Sequence, residues 1–167
     1  MKTHYLTTIT IVLLLLCTVG LMAQNTQTQL NQVELMKQFL GTWKGEMGKD
    51  TAFVMEIKSF YNGFESYLKT ETKGKIIIEE KTIMGYNKKI DKLIESGIMN
   101  SNPEIMSWAN WFLSPNKFEG VLLEDISNPE KATLKWTIEL TSPDVMVWSN
   151  IVNNKSTGTY TFHRIKY

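Results

Sequence analysis

Side chains able to do covalent or acid–base chemistry are few in this chain and poorly spaced for it. There is one cysteine, Cys17, and there are two histidines, His4 and His163. No serine or aspartate stands in a recognisable nucleophile motif. The adjacent carboxylates Glu79-Glu80 and Glu124-Asp125 fall in stretches that read as strands, where neighbouring side chains point to opposite faces. Neither pair can close on one substrate, and Glu119 and Glu139 lie on polar faces and read as solvated. No catalytic residue, metal ligand or cofactor is expected, and the chain reads as a non-enzyme.

The tryptophans and methionines are more suggestive. Trp108, Trp136, Trp148, Tyr160 and Phe162 fall in strand-like stretches, as do Met47, Met55, Met84, Met106 and Met146. Methionine adapts to irregular shapes and often lines accommodating apolar surfaces. These residues either fill a core or wall a ligand cavity. The expected wall of such a cavity is Met55, Trp108, Trp136, Trp148 and Tyr160. Trp108 and Trp111 sit on opposite faces of one strand, so only one of them can be inside.

The elements that must position these side chains begin at Phe39-Leu40-Gly41-Thr42-Trp43-Lys44-Gly45. Leu30, Val33, Leu35, Met36, Phe39 and Leu40 recur mostly at helical spacing, which predicts one short helix. Gly41 can take the backbone that ends it, and Gly45 leaves room for another backbone or ring. From Trp43 onward the pattern is strand, turn, strand. The plainest half-buried strand is 132–140, which should put Leu134, Trp136 and Ile138 in the core and Lys135, Thr137 and Glu139 in solvent. Tyr61-Asn62-Gly63-Phe64 predicts a hairpin turned by its Asn-Gly pair, and 118–126 reads as a single strand. The total is about ten strands with short connections, hence antiparallel neighbours. Ten such strands leave two long edges unless the sheet closes, so an up-and-down barrel is the expected fold.

Residues 1–23 read as a signal peptide: Lys2 and His4, an apolar run over 6–16, then Ala23 before the cut. The run is shorter than the roughly 20 apolar residues that a membrane span needs. Residues 24–34 read as a flexible leader and 35–167 as the barrel domain. Cys17 would leave with the signal, and with it any disulfide or thiolate chemistry. Removing 1–23 takes away Lys2 and no acid, which leaves seventeen basic and seventeen acidic residues. That balance gives no basic surplus for nucleic acid. An exported, periplasmic or extracellular domain without disulfides is expected, with no membrane span in its mature form and a small apolar molecule as partner.

The Phe-Leu-Gly-Thr-Trp-Lys-Gly stretch at 39–45, Met84-Gly85-Tyr86-Asn87, and Gly158-Thr159-Tyr160-Thr161-Phe162-His163-Arg164 together resemble the calycin superfamily of lipocalin-like barrels. The chain is most similar there to small exported bacterial domains of undetermined function. The resemblance implies that Trp43 of the first strand packs under Arg164 of the last, closing the barrel. It also raises haem ligation through His163, since some relatives ligate iron by histidine. Alternation instead groups His163 with Thr159 and Thr161, opposite Tyr160 and Phe162, which sends it outward. Three readings follow: a binder of a small apolar or amphipathic ligand, a packed interaction or envelope-structural domain, and a haem binder.

Overall fold

In 134–142 Trp136, Ile138 and Leu140 are buried, with half-buried Thr137 and Glu139 between them, as a strand with one face inward requires. The computed structural model describes residues 30–166, and the expected signal segment lies outside them. Ten strands follow one another: β1 (Gly41–Glu46), β2 (Thr51–Phe60), β3 (Gly63–Thr72), β4 (Lys75–Asn87), β5 (Lys92–Met99), β6 (Asn102–Ser114), β7 (Lys117–Leu122), β8 (Leu134–Ser142), β9 (Val145–Val152) and β10 (Lys155–Ile165). Each is antiparallel to its neighbours, and β1 pairs with both β2 and β10, so the sheet closes into a barrel. Closure satisfies the backbone groups that two free edges would have left unpaired. No helix among the described residues is long and apolar enough to cross a membrane.

The one short helix that the apolar spacing predicts is present among the described residues, and it begins inside the stretch expected to be a leader. α1 spans Gln32–Met36 and passes into a 3-10 turn at Lys37–Phe39. Asn31 caps it, its side chain accepting from the Glu34 N–H at 3.1 Å. Residues 32–34 therefore belong to the folded domain: Gln32 is buried and accepts from the Phe112 N–H at 2.7 Å. Because α1 leads straight into β1, it covers the end where β1 starts and β10 finishes. There Phe39 meets Phe112 and Phe118, with ring centroids 5.8 and 5.5 Å away. That end is plugged.

Two local readings are corrected. The hairpin between β2 and β3 turns at Tyr61-Asn62, and Gly63 already pairs with Phe60. Tyr61 takes the positive φ of 50°. Gly63 serves the sheet instead, since a Cβ there would run into the Met84 carbonyl. The strand expected over 118–126 stops at Leu122, and Leu123–Asp125 and Pro129–Lys131 are 3-10 turns. Glu124 and Asp125 thus lie in a turn, not a strand. Ile126 of this segment packs outside the barrel with Trp111, Ala109, Val121 and Ala132. Under the same segment Lys135 is buried rather than solvated, its Nζ donating to the Glu130 carbonyl at 3.3 Å.

Candidate ligand cavity

Opposite the plugged end the interior is hollow. A cavity of about 230 Å3 is bordered by Met55, Leu68, Trp108, Trp136 and Trp148 on its apolar side, with Ser66, Thr82, Glu80 and Glu95 on its polar side. Met99, Met106, Leu134 and Asn150 rim it and keep part of their surface exposed. A narrower space of about 50 Å3 continues from it past Glu95 towards Met36 and Phe39 of the plug. The barrel is thus packed in one half and open in the other.

The aromatic wall comes from β6, β8 and β9, whose inward positions stack sideways round the barrel. Trp136 lies 5.2 Å from Trp148, 6.4 Å from Trp108 and 5.4 Å from Phe118 between ring centroids. Trp148 spends its indole N–H on Asn150 Oδ1 at 2.9 Å. Room for Trp136 depends on Gly120, its partner across β7 and β8. A Cβ at Gly120 would lie 2.5 Å from Trp136 Cζ2 and would run into Asn110 Oδ1.

The polar wall is a hydrogen-bonded row across β3, β4, β5 and β6. Ser66 and Thr82 hydroxyls meet at 2.7 Å, Thr82 Oγ1 donates to Glu95 Oε1 at 2.6 Å, and Asn110 Nδ2 donates to Glu95 Oε2 at 3.0 Å. Asn110 is fully buried, and its Oδ1 has no hydrogen-bond partner among the described residues. Burial pushes the Glu95 carboxyl above the usual carboxylate range, against the pull of the Thr82 and Asn110 hydrogen bonds. Glu80, two residues nearer the rim than Thr82, is also raised, first by burial and then by repulsion from Glu95. Glu95 is half-buried and borders the cavity.

The expected wall residues divide as follows. Met55, Trp108, Trp136 and Trp148 border the cavity. Tyr160 does not: its ring folds back over its own strand, where a Cβ on Gly158 would come 2.5 Å from the Tyr160 hydroxyl. Trp108 is the inward member of its pair, and Trp111 lies outside, packed with Ala109, Val121, Ala132 and Ile126, with Lys92 Nζ 3.5 Å from its ring centre. His163 is exposed on the outer surface of β10, away from the cavity that a haem ligand would have to face. Trp43 and Arg164 meet across the β1–β10 pairing, the guanidinium carbon 4.1 Å from the ring centre.

Sequence reasoning passed over Glu95, Thr82, Ser66 and Asn110, and set Glu80 aside with Glu79 as a pair that cannot share a substrate. Of the adjacent pair, Glu79 points out and accepts from the Tyr67 hydroxyl, while Glu80 points in. In β5 the apolar Ile98 is the exposed side chain and Glu95 the enclosed one. The usable signal was the Leu93, Glu95, Gly97 alternation, which Ile94 and Ile98 on the other face mask.

No protein-family model matches the chain, and no curated protein matches it. Among solved structures it is similar to a redesigned β-barrel, at 13% identity over 78% of this chain and 94% of that one, with a TM-score of 0.33. That likeness carries no argument about the cavity. The barrel itself rests on the strand pairing.

Proposed function

We propose that this chain is an exported, lipocalin-like barrel that binds a small amphipathic molecule in the open half of its interior. The observation that carries the reading is the cavity of about 230 Å3, lined by three tryptophans and by a hydrogen-bonded polar row that meets them at Glu95 and Trp108. A cavity of roughly 150 Å3 takes benzene, and drug-sized sites begin near 300 Å3. The occupant is therefore small, a single ring or a short chain with one polar end. Support for membership of the calycin superfamily comes from Trp43 lying under Arg164 at the junction of first and last strands. Lys2, the apolar run at 6–16 and Ala23 support export to the periplasm or beyond.

The test is a titration with neutral single-ring compounds such as indole and 2-phenylethanol, read by tryptophan fluorescence and by melting temperature. Saturable quenching together with a raised melting temperature is the expected result. If neither changes, the cavity reading fails. The exposed isoleucines Ile83, Ile98 and Ile105, at 54%, 54% and 66% of full exposure, would then favour a protein-interaction domain.

A further inference from the structure

Resting on the cavity reading above, the choice of ligand follows from the charges that face it. Glu80 and Glu95 both border the cavity, and among the described residues no basic side chain pairs with either. Lys135 touches the same space, but its Nζ is turned out to the Glu130 carbonyl. Arg164 is held at the plugged end, where its guanidinium donates to the carbonyls of Leu40, Gln38 and Pro143. Glu95 is held in place by Thr82 and Asn110, whereas Glu80 makes no hydrogen bond or salt bridge among the described residues. Trp108 is the cross-strand partner of Glu95, and Trp136 and Trp148 continue the same lining on β8 and β9; indole rings are the side chains that best attract an organic cation.

We propose that the cavity selects a protonated amine with an aromatic or short alkyl body, its ammonium between Glu80 and Glu95 and its body against Trp108, Trp136 and Trp148. An ammonium supplies the donors and the countercharge that this enclosed acidic wall lacks. Burial disfavours both carboxylates as ions, and a cation between them restores the charged form. A fatty acid or other carboxylate would bring a third acidic group against the same half-buried wall, and is disfavoured for that reason.

Three compounds of matched shape separate the possibilities: 2-phenylethylamine, 2-phenylethanol and 3-phenylpropionate, each titrated into the exported protein at pH 7 by tryptophan fluorescence and calorimetry. The amine should bind about tenfold tighter than the alcohol, and the propionate weakest of the three. In Glu95→Gln and Glu80→Gln the amine-to-alcohol affinity ratio should collapse towards one. Glu80 stands nearer the rim and outside the hydrogen-bonded row, so Glu80→Gln carries the test if Glu95→Gln does not fold. Equal affinities for amine and alcohol, or a preference for the propionate, overturn the amine proposal and leave the cavity reading standing. Saturation by none of the three overturns both.

Discussion

Arg164 covers the ring of Trp43 across the pairing of β1 with β10, the one strand junction whose partners stand at opposite ends of the chain. The indole N–H of Trp43 donates to the Phe39 carbonyl at 2.8 Å, and the guanidinium donates to Gln38 at 2.7 Å and to Pro143 at 2.9 Å. Two side chains thus tie the plug, the first strand, the last strand and the β8–β9 turn to one another. Gly41 makes the approach feasible, since it has φ +119° and a Cβ there would lie 2.9 Å from Arg164 Nη1.

Arg164→Met should destabilise the barrel by about 2–4 kcal/mol, from lost charge-assisted hydrogen bonds and the lost cation–π contact. Arg164→Lys should recover only part of that, because an ammonium cannot serve three carbonyls with a planar fork. Urea denaturation of the two variants checks this, and a loss below about 1 kcal/mol for Arg164→Met would show that the junction holds without it.

Trp136 is 7% exposed and touches Trp108, Trp148 and Phe118. Trp136→Ala should cost about 3–5 kcal/mol, as large-to-small changes in cores do. Trp108→Ala, on the open side of the same wall, should cost less. Equal losses in chemical denaturation would mean that the cavity is packed as tightly as the plugged half.

Gly120→Ala places a methyl group against the Trp136 ring and the Asn110 side chain. Overpacking of that kind costs about 1–3 kcal/mol, and the displaced ring should narrow the cavity and weaken binding of 2-phenylethanol. Gly85→Ala makes the matching control: a Cβ there meets nothing within 4 Å. Its melting temperature should match or slightly exceed that of the parent.

The Glu95 carboxyl, raised by burial, takes up a proton more readily in the folded than in the unfolded chain, where it titrates near about 4.3. Its neutral form leaves stability undiminished below that value, and stability then falls as pH rises through the folded pKa. Glu80 acts in the same direction. Asp144, lowered chiefly by the Lys166 hydrogen bond, acts in the opposite one. Unfolding measured from pH 4 to pH 8 should therefore show a smaller decline in Glu95→Gln than in the parent. Parallel curves would mean that Glu95 ionises freely inside the barrel.

The proposed export makes a prediction for the segment before residue 30. Produced in a secreting bacterial host, the mature chain should start near Gln24 and carry no cysteine. N-terminal sequencing that returns Met1, or a lipid on Cys17, would overturn it.

By itself the sequence determined the number and direction of the strands, and with them the closure. Alternation has a period of two, each turn carries its own residue signals, and ten antiparallel strands cannot leave their edges bare. The same pattern pointed Met55, Trp136 and Trp148 inward but left Trp108 and Trp111 as alternatives. Only the tertiary structure decided which of two apolar sets lies inside where both faces carry them. In β5 the enclosed residue is Glu95, because Thr82 and Asn110 arrive from β4 and β6 to satisfy it. Lys135 and Trp111 are buried on the outer surface because the 123–131 segment folds across them, a covering that no local pattern announces. Tyr160 left the cavity wall for a like reason, since Gly158 next but one on its own strand gives its ring a nearer place to lie. Local periodicity sets which side of a strand a residue is on; what meets it there depends on strands far away in sequence.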